Sequence, residues 1–214
     1  AATYGEPDQV PITENMPTSP MNPYGESKLA MENMIAWTAK AHDIRYVSLR
    51  YFNVAGARPT GEIGEDHHPE THLIPIVLQT ALGKRDGLTI FGNDYDTPDG
   101  TCIRDYIHVV DLIKAHLCAL NYLNDDGENH IFNLGNHQGF SVRQIVEAAQ
   151  QVTGKEIPTK IGARRLGDPP QLVASSHKAQ TILGWKPTYT DIHDIIEHAW
   201  HWHQSHPNGY ETYN

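Results

Sequence analysis

The spacing of hydrophobic residues predicts helices that alternate with strands. Between Tyr24 and about His42 no proline interrupts an apolar series near helical spacing, which predicts a long helix. The series consists of Leu29, Met31, Met34, Ile35 and Ala39. Pro23 suits the first turn of this helix because its φ is fixed and a missing N–H costs nothing there.

A run of β-branched and aromatic residues follows this helix. Residues 45–52 are bounded by Asp43 and Asn53 and predict a buried strand. A helix followed directly by such a strand is half of a βαβ unit, which indicates an α/β fold. Residues 53–71 predict a loop, and loops of this length in compact domains usually bind ligands.

Further helices and strands alternate through the rest of the chain. The predicted helices cover residues 72–83, 108–123, 142–152, 175–183 and 191–205. The predicted strands cover residues 88–91, 101–104, 131–134 and 158–162. Ser141 and Gln144 have the spacing of a capping box, and Gly154 is placed to end the helix that they begin.

Composition narrows the class of protein. The chain has 214 residues and is 39% hydrophobic, which is enough to bury a core. Its formal net charge of −10 argues against a nucleic-acid or anionic-membrane partner, since either would require a basic surface. Cys102 and Cys118 are too few for a disulfide framework and predict free thiols in a reducing cytoplasm. No apolar run approaches the ~20 residues that span a bilayer.

Tyr24 and Lys28 are the first candidate for chemistry. Residues four apart are neighbours on a helix surface, so both side chains would share one face. A phenol is a weak base near pH 7, and a neighbouring ammonium group favours its phenolate form. The alternative is that both residues belong to an ordinary solvated helix face, and only their surroundings can decide between the two.

Those surroundings resemble a known family along the whole chain. The motifs that carry the resemblance are Ala2-Thr3-Tyr4-Gly5-Glu6, Asn22-Pro23-Tyr24-Gly25-Glu26-Ser27-Lys28, Leu49-Arg50-Tyr51-Phe52-Asn53, Thr71-His72-Leu73-Ile74-Pro75, Arg104-Asp105-Tyr106-Ile107-His108 and Arg164-Arg165-Leu166-Gly167-Asp168. In this order they are similar to the extended short-chain dehydrogenase/reductases, and within that family to the UDP-glucose 4-epimerases.

The resemblance implies a fold and a division into domains. It implies the trailing part of a Rossmann-type, doubly wound parallel sheet with a smaller α/β substrate-binding domain. Residues 1–57 would be the C-terminal part of the NAD-binding domain. Residues 58–214 would mainly bind the UDP-sugar, with a segment at about 101–125 returning to the Rossmann sheet. The family's Gly-rich turn for the NAD pyrophosphate has no counterpart among these residues, so the chain is expected to be the carboxyl-terminal part of such an enzyme.

The same resemblance assigns the catalytic residues. Tyr24 would be the base that takes the proton of the sugar 4-hydroxyl, while NAD accepts the hydride from C4. Lys28 would favour the phenolate and hold the nicotinamide ribose, and Phe52 would touch the nicotinamide end. The hydride returns to the other face of the 4-keto sugar, so UDP-glucose and UDP-galactose interconvert and NAD is not consumed.

Substrate-binding residues follow from the resemblance as well. Arg104 and Arg165 would bind the diphosphate, for which the forked geometry of arginine is suited. Asp168 would accept a hydrogen bond from the nucleotide ribose. Leu172 would limit the space beside the sugar, which leaves the acceptance of N-acetylated sugars open. The positions that would surround the phosphates, sugar and uracil are Asn53, His72, Leu73, Thr89 and Phe91.

Other functions receive less support. His67, His68 and His72 do not have the spacing of a zinc motif, so no metal site is predicted. A 4,6-dehydratase or decarboxylase on the same scaffold and a non-catalytic nucleotide-sugar-binding protein stay open as alternatives. The chain by itself is expected to be inactive, and the intact enzyme is expected to be a homodimer formed partly through the helix that carries Tyr24.

Overall fold

The computed structural model describes residues 1–210, which form six α-helices and eight β-strands. The helices are α1 (Pro23–His42), α2 (Leu73–Ala81), α3 (Val109–Asn124), α4 (Val142–Thr153), α5 (His177–Leu183) and α6 (Ile192–Ser205). The strands are β1 (Val47–Tyr51), β2 (Asn53–Ala55), β3 (Leu88–Phe91), β4 (Ile103–His108), β5 (His130–Leu134), β6 (Gly139–Ser141), β7 (Thr159–Gly162) and β8 (Gln171–Leu172). The chain is therefore an α/β protein, as the hydrophobic pattern predicts.

The strands pair mainly in parallel. β1 pairs with β5, β2 pairs with β4, and β3 pairs with β7, all in parallel register. β4 also pairs in parallel with β8 and antiparallel with β6. Since parallel strands require crossover connections, the helices lie between the paired strands in the sequence.

The largest hydrophobic core lies under α2, α4 and α6. Its buried members include Ile74 and Leu78 of α2, Ile145 of α4 and Ile195 of α6, together with Ile90 of β3. A second core joins β5 to α3 and α5 around Phe132 and Trp185. Burial of apolar side chains is the main favourable term in folding, so these cores fix the elements that surround the cavity described below.

Several predicted bounds are confirmed to within one or two residues. α1 begins at Pro23 with Asn22 as its N-cap, whose side chain accepts a hydrogen bond from the N–H of Gly25. α4 has the predicted capping box of Ser141 and Gln144 and ends at Gly154 in the left-handed conformation. The signal for the start of α4 was its capping box, and the signal for the start of α1 was Pro23 in its first turn.

Other predictions of strands were wrong in their limits. The predicted strand at residues 45–52 is shorter in the structure, where β1 covers Val47–Tyr51 and pairs with β5, and the chain pairs with β4 from Asn53 onwards. The predicted loop 53–71 therefore begins as a strand. β4 extends to His108 although the pattern predicted a strand of residues 101–104 only. The rest of this strand was not predicted because it contains the charged residue Asp105. Asp105 can be fully buried because its carboxylate accepts hydrogen bonds from the N–H groups of Asn136 and Ala174.

Two further features expected from the sequence concern the cysteines and the apolar character of the helices. Cys102 and Cys118 are both free thiols, as expected. Within residues 1–210, no helix combines the length and the apolar character needed to cross a bilayer.

Candidate functional site

A cavity of about 1630 Å³ brings the predicted site residues together. Every predicted residue except Lys28 lines this cavity, and they come from distant parts of the sequence. The lining includes Tyr24, Phe52, Asn53, His72, Leu73, Thr89, Phe91, Arg104, Arg165, Asp168 and Leu172. A cavity of this size exceeds the usual range for drug-sized ligands, about 300–1,000 Å³, and has room for a large ligand.

Tyr24 and Lys28 lie beside each other on α1. The Lys28 Nζ atom is 5.3 Å from the centroid of the Tyr24 ring. Tyr24 is 64% exposed and lines the cavity, whereas Lys28 is exposed and does not line it. The Lys28 ammonium group and the Tyr24 phenol are therefore neighbours, as predicted. The phenol lies on the cavity wall, whereas the ammonium group does not.

The start of α1 approaches the backbone of Ala2 closely. A Cβ atom on Gly25 would lie 2.4 Å from the carbonyl oxygen of Ala2, so only glycine fits there. The cavity lining also includes Ala1 and Ala2. The N-cap at Asn22 and the glycine at position 25 together determine where Tyr24 stands.

A buried ion pair holds the middle of α1. Glu32 receives two hydrogen bonds from Arg50, from Nε at 2.8 Å and from Nη2 at 2.5 Å. The Arg50 Nη1 atom donates to the Tyr4 hydroxyl at 2.8 Å, and that hydroxyl donates to Asn133 at 2.7 Å. Although burial opposes it, hydrogen bonding to Glu32 and Tyr4 raises the pKa of Arg50. Glu32 lies on the same helix face as Tyr24 and Lys28, so this network orients the face that meets the cavity.

The predicted diphosphate-binding arginines differ in their contacts. Arg104, on β4, forms an ion pair with Asp168, and its side chain is 13% exposed. Arg165 is exposed and packs over the ring of Phe91, with its guanidinium carbon 4.1 Å from the ring centroid. Among residues 1–210 no carboxylate lies within ion-pair distance of Arg165. Arg165 is therefore available to an anion, while Arg104 would share its charge with Asp168.

Beside these residues the cavity wall is weakly polar. Leu172 and Cys102 lie near Asp168, and the Cys102 Sγ atom is 3.7 Å from an Asp168 carboxylate oxygen. Burial raises the pKa of the Cys102 thiol, which keeps it protonated and unreactive. Burial also raises the pKa of Tyr106, on the same wall, to about 12. Neither group is prepared for proton transfer near neutral pH.

Acidic and imidazole groups form another part of the wall. Glu65, Glu70 and His72 line the cavity, and the His72 Nδ1 atom lies 2.7 Å from Glu65 and 3.0 Å from Glu70. Burial raises the pKa of Glu65, while the charge of His72 opposes the rise. The spacing argument, which found no zinc motif here, did not anticipate that the loop would bring these groups together.

Three further cations on the cavity wall were missed by sequence reasoning. Arg58 pairs with Glu62 at 2.9 Å, Arg85 donates to Gln79 at 2.7 Å, and Lys114 donates to Thr188 at 2.8 Å. None of them belongs to a recognisable motif in the sequence. Only the fold shows that they face the same cavity as Arg104 and Arg165.

Comparison with known proteins assigns the chain to a family. Residues 1–135 match the NAD dependent epimerase/dehydratase family. The chain belongs to this family. The NAD dependent epimerase/dehydratase assignment confirms the resemblance carried by the sequence motifs, which include Tyr24 and Lys28.

Individual members of the family are similar over the whole chain. The UDP-glucose 4-epimerase of Halalkalibacterium halodurans is 60% identical over 214 residues, which are 100% of this chain and 64% of that protein. That of Lacticaseibacillus casei is 59% identical and is covered to 65%. The crystal structure of UDP-glucose 4-epimerase from Bifidobacterium longum in complex with NAD+ and UDP has a TM-score of 0.93 at 40% identity, covering 98% of this chain and 63% of that one. The chain thus spans about two thirds of the length of these relatives.

Proposed function

We propose that the protein containing this chain interconverts UDP-glucose and UDP-galactose through transient oxidation at C4 of the sugar. The single observation that supports the proposal is the cavity, whose lining includes Tyr24 together with Arg104 and Arg165. A substrate with a reacting sugar at one end and a charged diphosphate in its middle needs both a proton-transferring group and cationic groups in one cavity. The relatives named above support the same reaction.

In this proposal Tyr24 handles the proton of the reaction. As a phenolate it accepts the proton of the 4-hydroxyl, and as a phenol it returns a proton to the oxygen of the 4-keto sugar. The Lys28 ammonium group is its cationic neighbour, with Nζ 5.3 Å from the Tyr24 ring centroid. Bound NAD would supply the hydride acceptor and donor, and the residues that would hold it are Tyr24 and Phe52 of the cavity lining together with Lys28, which does not line the cavity. Their donor set fits the nicotinamide end of that cofactor, with a hydroxyl, an ammonium group and an aromatic ring.

Another group of residues from the cavity lining would bind the nucleotide. The guanidinium groups of Arg104 and Arg165 would pair with the diphosphate, and Asp168 would accept from a ribose hydroxyl. Binding then requires Asp168 to give up part of its ion pair with Arg104. The exposed Arg165 needs no such rearrangement. Asn53, His72, Leu73, Thr89 and Phe91 would surround the phosphates, the sugar and the uracil.

The space beside the sugar sets specificity in this proposal. Leu172 lies on the short strand β8 next to β4 and lines the cavity. Its side chain is of intermediate size, which leaves open whether N-acetylated sugars are accepted besides UDP-glucose and UDP-galactose. We also propose the division at residue 57, with residues 58–214 contributing most of the UDP-sugar site.

A homodimer and a cytoplasmic location complete the proposal. The apolar side chains of Met34 and Trp37 on α1 are 68% and 70% exposed, and those of Leu117 and Leu120 on α3 are 57% and 55% exposed. Large exposed apolar side chains on the outer face of a helix are typical of an interface. The test is sedimentation of the protein made from its full reading frame, with Trp37→Glu expected to shift it from dimer to monomer.

The reaction can be tested directly with the protein made from its full reading frame. The purified protein is mixed with UDP-galactose, and the formation of UDP-glucose is followed by chromatography. Turnover without net formation of NADH is the expected result. The 214-residue chain alone, with NAD added, is expected to give none. A product that has lost water or carbon dioxide would contradict the proposal and indicate a dehydratase or decarboxylase, and nucleotide binding without any product would indicate a binding protein.

A further inference from the structure

A cluster of four metal-ligand side chains lies at one edge of the cavity. Glu65, His67, Glu70 and His72 each offer one ligand atom, and these atoms all lie within 4.8 Å of one another. We propose that the loop between β2 and α2 binds one divalent transition-metal ion, with Zn²⁺ as the best fit, through these four residues. The metal proposal does not rest on the proposed reaction, although His72 is also one of the residues that would surround the substrate.

The donor set decides which metal fits. Two imidazoles and two carboxylates combine nitrogen and oxygen ligands. Imidazole suits Zn²⁺, Cu²⁺ and Ni²⁺, whereas Mg²⁺ and Ca²⁺ are bound almost entirely by oxygen. Structural zinc sites use four protein ligands in a tetrahedron, which is the number this loop supplies. The two carboxylates also provide the negative charge that neutralises a divalent cation.

The distances require only small adjustments for a bound ion. The His72 Nδ1 atom lies 2.7 Å from Glu65 Oε1 and 3.0 Å from Glu70 Oε1, and the His67 Nδ1 atom lies 3.6 Å from Glu70 Oε1. With metal–ligand bonds of about 2.0–2.1 Å, neighbouring ligand atoms of a tetrahedral site lie roughly 3.3 Å apart. The observed separations scatter around this value, so rotation of side chains is sufficient.

The carboxylate of Glu70 is held in place by the backbone of the loop. Its side chain is only 4% exposed, and Oε1 accepts hydrogen bonds from the backbone N–H groups of Thr71 and His72, both at 2.7 Å. Carboxylates that bind metals are usually held by such additional hydrogen bonds. The half-exposed rings of His67 and His72 leave a path by which an ion can enter.

The backbone of the loop is held by the end of the chain. The indole Nε1 of Trp202 donates to the Glu65 carbonyl at 3.1 Å, and the Tyr210 hydroxyl is within 3.1 Å of the backbone N–H and carbonyl of Gly64. The other end of the loop is fixed because His72 is the N-cap residue of α2. A bound ion would therefore join a loop to the first turn of α2, next to the cavity residue Leu73.

Two adjacent histidines provide a matched test. His67 belongs to the cluster, whereas the exposed His68 does not. The protein made from its full reading frame, without a histidine tag, is dialysed against a chelator and titrated with Zn²⁺ in a calorimeter. We expect one Zn²⁺ per chain in the parent and in His68→Ala. His67→Ala should bind at least about tenfold more weakly, because even the loss of a residue that merely supports a ligand costs about 10–100-fold in metal affinity.

Two further measurements do not depend on His67. Glu70→Gln keeps the oxygen that accepts the two backbone N–H groups but removes the charge, so it should also weaken Zn²⁺ binding. Bound Co²⁺ should show the visible absorption of a tetrahedral site in the parent protein. The proposal is overturned if the parent binds no Zn²⁺, if His67→Ala binds it as tightly as His68→Ala, or if Ca²⁺ binds as tightly as Zn²⁺. The last two results would mean that the imidazoles are not ligands and that His72 is only an ion-pair partner of Glu65 and Glu70.

Discussion

The two sides of the cavity are held in place by different forces. The α2–β3 wall, which carries Leu73, Thr89 and Phe91, rests on the large hydrophobic core formed with α4 and α6. The α1 wall, which carries Tyr24, buries only Gly25 and Ala39 among the residues of its helix. Its main internal anchor is the ion pair between Glu32 and Arg50.

This difference predicts that the α1 wall mainly affects the chemical step and that the α2–β3 wall mainly affects substrate binding. A wall that rests on a packed core moves little, because protein interiors are close-packed and resist deformation. A helix held by one buried ion pair and a cap depends on a few polar contacts and on whatever covers its exposed apolar face. We therefore expect changes in the α1 wall to alter turnover, and changes in the α2–β3 wall to alter substrate binding or overall stability.

Removing the Tyr24 hydroxyl should have the largest effect. Tyr24→Phe eliminates the group that would move the proton, and a positioned acid–base group contributes about 10²–10⁴-fold to rate. We expect kcat for UDP-galactose to fall by about 10³-fold, while substrate affinity and the thermal midpoint change little. Tyr46→Phe is the control, since Tyr46 does not line the cavity. Nearly full activity of Tyr24→Phe would exclude Tyr24 as the base.

Breaking the anchor of α1 should have the next largest effect. Glu32→Gln leaves the buried charge of Arg50 without its partner, and the loss of one member of a buried pair costs about 3–5 kcal/mol. We expect a reduction of about 3 kcal/mol in the free energy of unfolding, measured in urea, together with a lower kcat. Glu26→Gln, at an exposed position of the same helix, should change stability by less than about 1 kcal/mol. Equal effects of the two changes would show that the ion pair does not hold the helix.

The opposite wall can be tested with two adjacent arginines. Arg165 lines the cavity, whereas Arg164 pairs with Asp94 and packs over Tyr95 outside the lining. Hydrogen bonds to charged groups are worth about 1.5–3 kcal/mol, so Arg165→Met should raise KM for UDP-galactose by roughly 10–100-fold with kcat nearly unchanged. Arg164→Met should leave KM within about twofold. A larger effect of Arg164→Met would move the diphosphate site away from Arg165.

The sequence predicted best those features that are encoded locally. Pro23 and the capping box at Ser141 act within one helical turn, so they indicated the starts of α1 and α4. The neighbourhood of Tyr24 and Lys28 is likewise a property of a single helix. β6 and β8 were not predicted because they have three and two residues and exist only through pairing with β4.

Features that depend on distant contacts could not be predicted. Arg50 pairs with Glu32, 18 positions away, and Arg104 pairs with Asp168, 64 positions away. No local sequence pattern predicts either ion pair. The cluster of Glu65, His67, Glu70 and His72 is close in sequence, but its geometry depends on a loop conformation that is fixed by Trp202 and Tyr210. The family resemblance supplied the site residues that periodicity alone would have left among ordinary surface positions.

The smallest expected effects give the most direct comparison of the two walls. Asn22 caps α1 and Ser141 caps α4, and each side chain accepts a backbone N–H of the first turn. Replacing either residue with alanine should cost a similar amount of stability, about 1 kcal/mol. Only Asn22→Ala should also lower kcat by several-fold, because α1 carries Tyr24 and has little hydrophobic packing to hold its first turn. α4 buries Ile145, Val146, Ala148 and Ala149, so Ser141→Ala should leave kcat unchanged. If both variants lose the same fraction of kcat, the two walls respond as one unit, and the separation of chemistry from binding does not hold.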